Sequence, residues 1–201
     1  MGRASPLSPD ARRATIIAAT IPLLRIHGTA VTTSQIAMAA GVAEGTLFRV
    51  FPDKDSLVQA AVCSAFDPEP AERELAAIDP ALPLRARLIR AIEILQHRVD
   101  GIWQLMSMLR MMGPPNVNGG PPPKPATDDA FHRAIADILE PYRSELRCEP
   151  AHASRLLRIM TFAATHPRIN DGTLLTAAEI VAVVLDGIRT RSDLDREEST
   201  C

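Results

Sequence analysis

The sequence predicts an all-α fold in two regions, and three observations carry the prediction. Aromatic residues are only 3% of 201 while hydrophobic residues are 46%, so the core must be built from Leu, Ile, Val, Ala and Met, which favours helices over strands. Apolar residues recur at three- and four-residue steps, and no run alternates as a strand would. Proline and glycine cut this pattern into helix-length pieces.

The first piece opens with Ser8 as a candidate N-cap and Pro9 at the first helical position. Residues 1–9 before it read as a loose arm. Ile16, Ile17, Thr20, Leu23, Leu24 and His27 then mark one helix face, closed by Gly28. Pro22 lies inside and removes one backbone hydrogen bond, which predicts a bend. Thr33 or Thr32 caps a second, short helix through Ala40, with Gly41 as a tight turn. A third short helix spans about Ala43 to Phe51, and a fourth about Lys54 to Phe66. Asp67-Pro68-Glu69-Pro70 breaks the chain, which sets the boundary between a first region, 1–66, and a second, 67–201.

In the second region Leu84, Leu88, Ile92 and Leu95 mark a helix face that continues through Ile102, Trp103, Met106, Leu109 and Met112, with Gly101 as a candidate divider. Residues 113–126 hold six prolines and three glycines and read as a loop. A helix resumes from Thr127, with Asp128 and Asp129 in its first turn, and reaches about Arg147 with a kink at Pro141. Two strongly apolar helices follow, from about Pro150 to Thr165 and from Thr176 to Ile188, and the tail after Arg191 is polar.

Net charge is −2, which excludes a polybasic nucleic-acid coat. The balance is uneven: residues 1–66 carry six Lys/Arg against four Asp/Glu, and the remainder carries sixteen against twenty. Cys63, Cys148 and Cys201 are widely spaced and odd in number, so neither a disulfide framework nor a zinc site is expected. Asp129 and His132 share a helix face without a third ligand, and no metal or cofactor is expected. The apolar run Ile16 to Leu24 is too short to span a bilayer. Arg12-Arg13 before it invites an export reading, but Arg25 closes the run and no small-residue cleavage site follows, so a cytoplasmic location is expected. No G-x-S-x-G, Gly-rich phosphate loop or H-E-x-x-H is present, so no enzyme is expected.

Thr32 to Phe51, TTSQIAMAAGVAEGTLFRVF, reads physically as a helix–turn–helix. Ile36 points to the core, Ala37 is small where helices approach, and Gly41 makes the turn. Val42 and Leu47 pack the second helix on the first. The other face of Ala43–Phe51 is then free to enter a DNA major groove.

On these residues the segment resembles the DNA-binding region of the tetracycline repressor (TetR) family of bacterial transcription regulators. The family pattern is roughly I-A-x-x-A-G-V-x-x-G-T-L-[YF]-x-[HY]-F, then K-x-x-L. Ile36, Ala37, Ala40, Gly41, Val42, Gly45, Thr46, Leu47, Phe48, Phe51, Lys54 and Leu57 occupy the matching places, and the close match covers residues 11–66. The resemblance implies a homeodomain-like three-helix DNA-binding domain followed by a helical ligand-binding and dimerisation domain.

It also implies roles. Thr33 and Ser34 would contact phosphates, while Glu44, Gly45 and Thr46 would face bases or backbone at the start of the recognition helix. Phe48 would press on sugar or a thymine methyl; it stands where the family more often has tyrosine. Arg49 would reach phosphate or guanine, and Lys54 would grip a phosphate. Arg3, Arg12 and Arg13 would add contacts from the arm. Glu44 has two readings: it accepts from a cytosine amine, or it caps the recognition helix.

Two further expectations concern residues 67–201. The resemblance implies an inducer pocket for a small apolar molecule, with His97, Trp103, Met106, Met111, Phe131, Tyr142, Met160, Phe162 and His166 as candidate lining and ordinary core packing as the alternative. The last two helices have more apolar surface than one intramolecular contact needs. A homodimer through a four-helix bundle is expected, with Leu156, Ile159, Ala163, Ile180, Val184, Gly187 and Ile188 at the interface. A dimer would read a near-palindromic double-stranded operator, and effector binding would shift the spacing of its two heads. Repression is the expected outcome and activation the alternative. The rival readings are a helical DNA-binding or scaffold protein without a ligand switch and an all-α enzyme.

Overall fold

A computed structural model describes residues 8–109, 130–166, 169–170 and 173–189. All of its regular elements are helical: α1 (Pro9–His27), α2 (Thr33–Ala40), α3 (Glu44–Val50), α4 (Lys54–Ala65), α5 (Glu69–Ala76), α6 (Leu84–Met108), α7 (Ala130–Leu139), α8 (Pro150–Thr165) and α9 (Ala177–Ile188). Short 3-10 turns cover Gly28–Ala30 and Glu140–Glu145. The expected arm at 1–7, Met111, the loop 113–126, the start of the helix at Thr127 and the tail after Arg191 lie outside the described residues.

The chain forms two compact units. The first runs to Asp67 and takes in the chain again from Gly101, so the end of α6 packs within it. Its core joins Ile16 and Leu24 of α1, Ile36 and Ala37 of α2, Leu47 of α3, Leu57 and Ala61 of α4, and Leu105 of α6. α1 packs against α2, α3 and α4, which is how one long helix carries the three short ones.

Local chemistry explains the boundaries. Ser8 Oγ accepts the Ala11 N–H at 3.1 Å, and Pro9 needs no partner at the first position. α1 runs unbroken through Pro22. Thr32 caps α2 in a reciprocal box: its hydroxyl accepts the Gln35 N–H at 3.2 Å, and Gln35 Oε1 accepts the Thr32 N–H at 2.8 Å. Asp53 Oδ1 accepts the Ser56 N–H at 2.7 Å at the head of α4.

In the second unit, residues 68–100 pack with the described residues from 130 onward. α7 lies against α5 and α8, and α8 against α9. Leu88, Ile92 and Leu95 of α6, Phe131, Ile135 and Leu139 of α7, Leu157 of α8 and Ile180, Val181 and Leu185 of α9 are buried. Ser154, fully buried on α8, hydrogen-bonds His132 of α7 at its carbonyl oxygen (2.9 Å) and Nδ1 (3.0 Å). Arg85 on α6 pairs with Asp186 on α9 at 2.6 Å.

Two local expectations are corrected. Asp67-Pro68-Glu69-Pro70 is not a simple break: α5 begins at Glu69, because proline is tolerated in a first turn, where N–H groups have no helical partner. Gly101 does not divide α6, which is continuous over 25 residues. A Cβ at Gly101 would lie 2.5 Å from Arg25 Nη2, so its missing side chain makes room for the α1 guanidinium.

Candidate nucleic-acid interface

The turn between α2 and α3 is closed by Gly41, whose φ of +65° is left-handed. Its N–H reaches back to the Ala37 and Met38 carbonyls, and the Val42 N–H donates to Ala37 O at 3.0 Å. Nothing lies within 4 Å of a Cβ built on Gly41, so backbone conformation alone selects glycine there. α3 then starts after Ala43, which offers no side-chain cap.

Leu47 and Phe51 are buried and anchor α3 from beneath. Its other face is open: Glu44, Gly45 and Arg49 are exposed, Thr46 is half-buried, and Phe48 is 52% exposed. An aromatic ring of that size left in water is unusual for a core-forming residue and suits a surface awaiting a partner. A Cβ on Gly45 would also meet nothing within 4 Å, so no neighbour within the chain requires glycine there.

The sequence-predicted contacts are placed as follows. Thr33, at the start of α2, donates its hydroxyl to Glu44 Oε1 in the first turn of α3. The carboxylate thus ties the two helices together and sits at the positive end of α3. Ser34 beside it is exposed. Lys54, half-buried at the start of α4, donates from Nζ to the Thr29 carbonyl at 2.8 Å. The ammonium has three donors, so this bond fixes its stem and leaves two others. Arg13 stacks its guanidinium over the Phe51 ring at 4.4 Å, and Arg12 is half-buried on the same helix. Arg3 lies outside the described residues. The Arg13–Phe51 stack was not foreseen; a basic residue on the first helix and an aromatic at the end of the third are a signal only once their packing is known.

The candidate ligand residues fall in both units. Trp103, half-buried, and Met106, buried, belong to the first. In the second, Phe131 is buried, Tyr142, Met160 and His166 are half-buried, and Phe162 is 42% exposed. His97 is exposed and lines an open cleft of about 270 Å³ with Gln96, Asp100, Thr165 and Leu174. Among the described residues no group of three His, Cys, Asp or Glu is placed to hold a metal ion, and no helix is long and apolar enough to cross a membrane.

The candidate interface residues divide by burial. Ile180, Val184 and Ile188 are buried within the chain itself, Leu156 and Ala163 are half-buried, and Ile159 and Gly187 are exposed. Three exposed apolar side chains lie on α8 and α9, Ile159 at 55%, Phe162 at 42% and Val183 at 64%; others, such as Met38 and Ile26, lie on the first unit.

Residues 16–61 match the family model described as bacterial regulatory proteins, tetR family. No curated protein matches the sequence. Solved structures share the fold across nearly the whole chain. A TetR transcriptional regulator from Streptomyces coelicolor is 21% identical, with a TM-score of 0.57 over 90% of this chain and 99% of its own. A second tetR-family regulator from that organism is 23% identical, with a TM-score of 0.56 over 90% of this chain and 80% of its own. NalD of Pseudomonas aeruginosa, the secondary repressor of the MexAB-OprM multidrug efflux pump, is 20% identical, with a TM-score of 0.50 over 90% of this chain and 98% of its own.

Proposed function

We propose that this chain is a TetR-like bacterial transcriptional regulator, acting as a homodimeric repressor of a near-palindromic operator and released by a small, mainly apolar effector. The observation that carries the DNA-binding part is the open face of α3, where Gly45, Phe48 and Arg49 stand clear of the core that Leu47 and Phe51 anchor.

Residues 1–66 bind the duplex and residues 67–201 sense and dimerise. Phe48 meets sugar or a thymine methyl, and Arg49 reaches guanine or phosphate. Lys54, with Arg12 and Arg13, supplies sequence-independent attraction. The dimer forms through α8 and α9, where Ile159, Phe162 and Val183 are the exposed apolar anchors and Gly187 leaves room for close approach. Two recognition helices are then held in fixed spacing. Effector binding favours a spacing that no longer fits the operator. The protein works in the cytoplasm and is not an enzyme.

Fluorescence anisotropy with fragments of the source genome tests the reading. Saturable binding that is lost in Arg49→Ala and weakened in Lys54→Ala supports it. Equal affinity in both variants overturns the contact assignment. Release of the bound fragment by an apolar compound supports the switch, and no responder in a broad panel counts against it.

A further inference from the structure

α6 has two faces in the second unit. Leu88, Ile92 and Leu95 turn into the core. The opposite face, with Ala86, Ile89, Arg90 and Glu93, lines a separate cleft of about 490 Å³ whose other wall is the end of α5 and the chain that follows it. That volume is within the range of sites for drug-sized molecules.

The cleft has an apolar floor and an acidic rim. Ile78 and Leu82, from the connection between α5 and α6, meet Ala86 and Ile89 across it. Leu82 is 39% exposed although it is fully aliphatic. The connection is held by its own hydrogen bonds: Asp79 Oδ1 accepts the Ala81 N–H at 2.9 Å, and the Leu82 N–H donates to Asp79 O at 3.3 Å. The wall is therefore formed before anything binds.

Charge decides what the cleft accepts. Its rim carries three carboxylates, Glu74, Asp79 and Glu93, against one cation, Arg90. Arg90 Nη1 is already 3.0 Å from Glu93 Oε2. Among the described residues Glu74 and Asp79 have no cationic partner. Apolar floor and unmatched negative rim together select a molecule that is greasy and positive, and reject its anionic counterpart.

We propose that this cleft is a binding site for a small amphipathic organic cation, on the opposite side of α6 from the protein's interior. Burial of the apolar body on Ile78, Leu82 and Ile89 supplies most of the affinity, and the two carboxylates supply the discrimination by charge. The site goes beyond the regulatory reading and does not require DNA binding.

The test is calorimetric titration of the full chain with tetraphenylphosphonium and with tetraphenylborate, ions of the same shape and opposite charge. The phosphonium is expected to bind saturably and the borate to bind at least tenfold more weakly. The Glu74→Gln/Asp79→Asn double variant should lose about tenfold in phosphonium affinity, since each amide keeps the shape and hydrogen-bonding oxygen but not the charge. Leu82→Arg, a surface change that places a tethered cation in the cleft, should abolish binding while the helical circular dichroism and thermal midpoint stay near wild type. Equal binding of both ions, or phosphonium affinity unchanged in the double variant, overturns the assignment. So does a shift of the chain's oligomeric state by Leu82→Arg with no cation bound by the wild type, which would mark the cleft as a contact between copies.

Discussion

The Thr33 hydroxyl donates to the Glu44 carboxylate, so the first turns of the two helices in the helix–turn–helix are joined side chain to side chain. Two residues expected to touch DNA separately are therefore coupled, and the bond holds a negative charge at the lip of the recognition surface. Glu44→Ala should raise affinity for random duplex at low salt several-fold, because a carboxylate no longer faces the phosphates. It should also flatten any preference for cytosine. Thr33→Val should keep the charge but loosen its position, lowering discrimination more than affinity. Anisotropy titrations against specific and random duplexes check both.

Lys54 should contribute as a point charge. Lys54→Ala is expected to weaken binding about equally across sequences and to reduce the salt-dependence slope by about one. Arg49→Ala should instead change which sequences are preferred. Both are off the buried core, so thermal unfolding should shift little; titrations at several salt concentrations separate the two roles.

Three glycines should respond differently to alanine. Gly41→Ala has open space but a left-handed backbone, so it should cost roughly 1–2 kcal/mol. Gly28→Ala should cost more, because φ is +55° and the new Cβ would sit 2.8 Å from the Met108 carbonyl oxygen. Gly45→Ala lies in an ordinary helical conformation with free space and should stabilise by about 0.5–1 kcal/mol, while the added methyl on the open face lowers DNA affinity. Denaturant unfolding beside anisotropy distinguishes the three.

The Asp53 carboxyl is held below its ordinary value, first by the Ser56 backbone N–H and then by the Ser56 hydroxyl. A depressed folded pKa contributes stability that is present above the unfolded value of 3.8 and is lost as pH falls through the folded value. Asp53→Asn should therefore be less stable than wild type at neutral pH, with the gap closing below about pH 4. Urea midpoints from pH 7 to pH 3 give the comparison.

Phe162→Glu and Val183→Glu should each place a charge in the proposed α8–α9 interface and weaken dimerisation by about tenfold or more. Sedimentation velocity over a concentration series reads this directly, and an unchanged distribution would place the interface elsewhere.

The sequence was informative where a side chain acts on its own neighbours. Ser8 and Gly41 open and close their elements at the expected places, because capping and left-handed turns are local chemistry, and α4 begins at Lys54 as expected, behind the Asp53 cap. Of the two threonines offered as the cap of α2, the structure selects Thr32. The short α5 was hidden by Pro68 and Pro70, which read as breakers but occupy the cap and first turn. Gly101 also misled, since the reason for its small size is Arg25, distant in sequence. The open face of α3 was legible from Val42 and Leu47, which were expected to pack it on α2. The Thr33–Glu44 bond was not, because it depends on how two helices cross.

The most direct test is selection of random duplexes by the purified 201-residue chain at low salt, followed by sequencing. The account predicts enrichment of an inverted repeat, lost when Phe48 and Arg49 are both changed to alanine. Recovery of a pool no different from the input, at protein concentrations where the chain is folded, would contradict it.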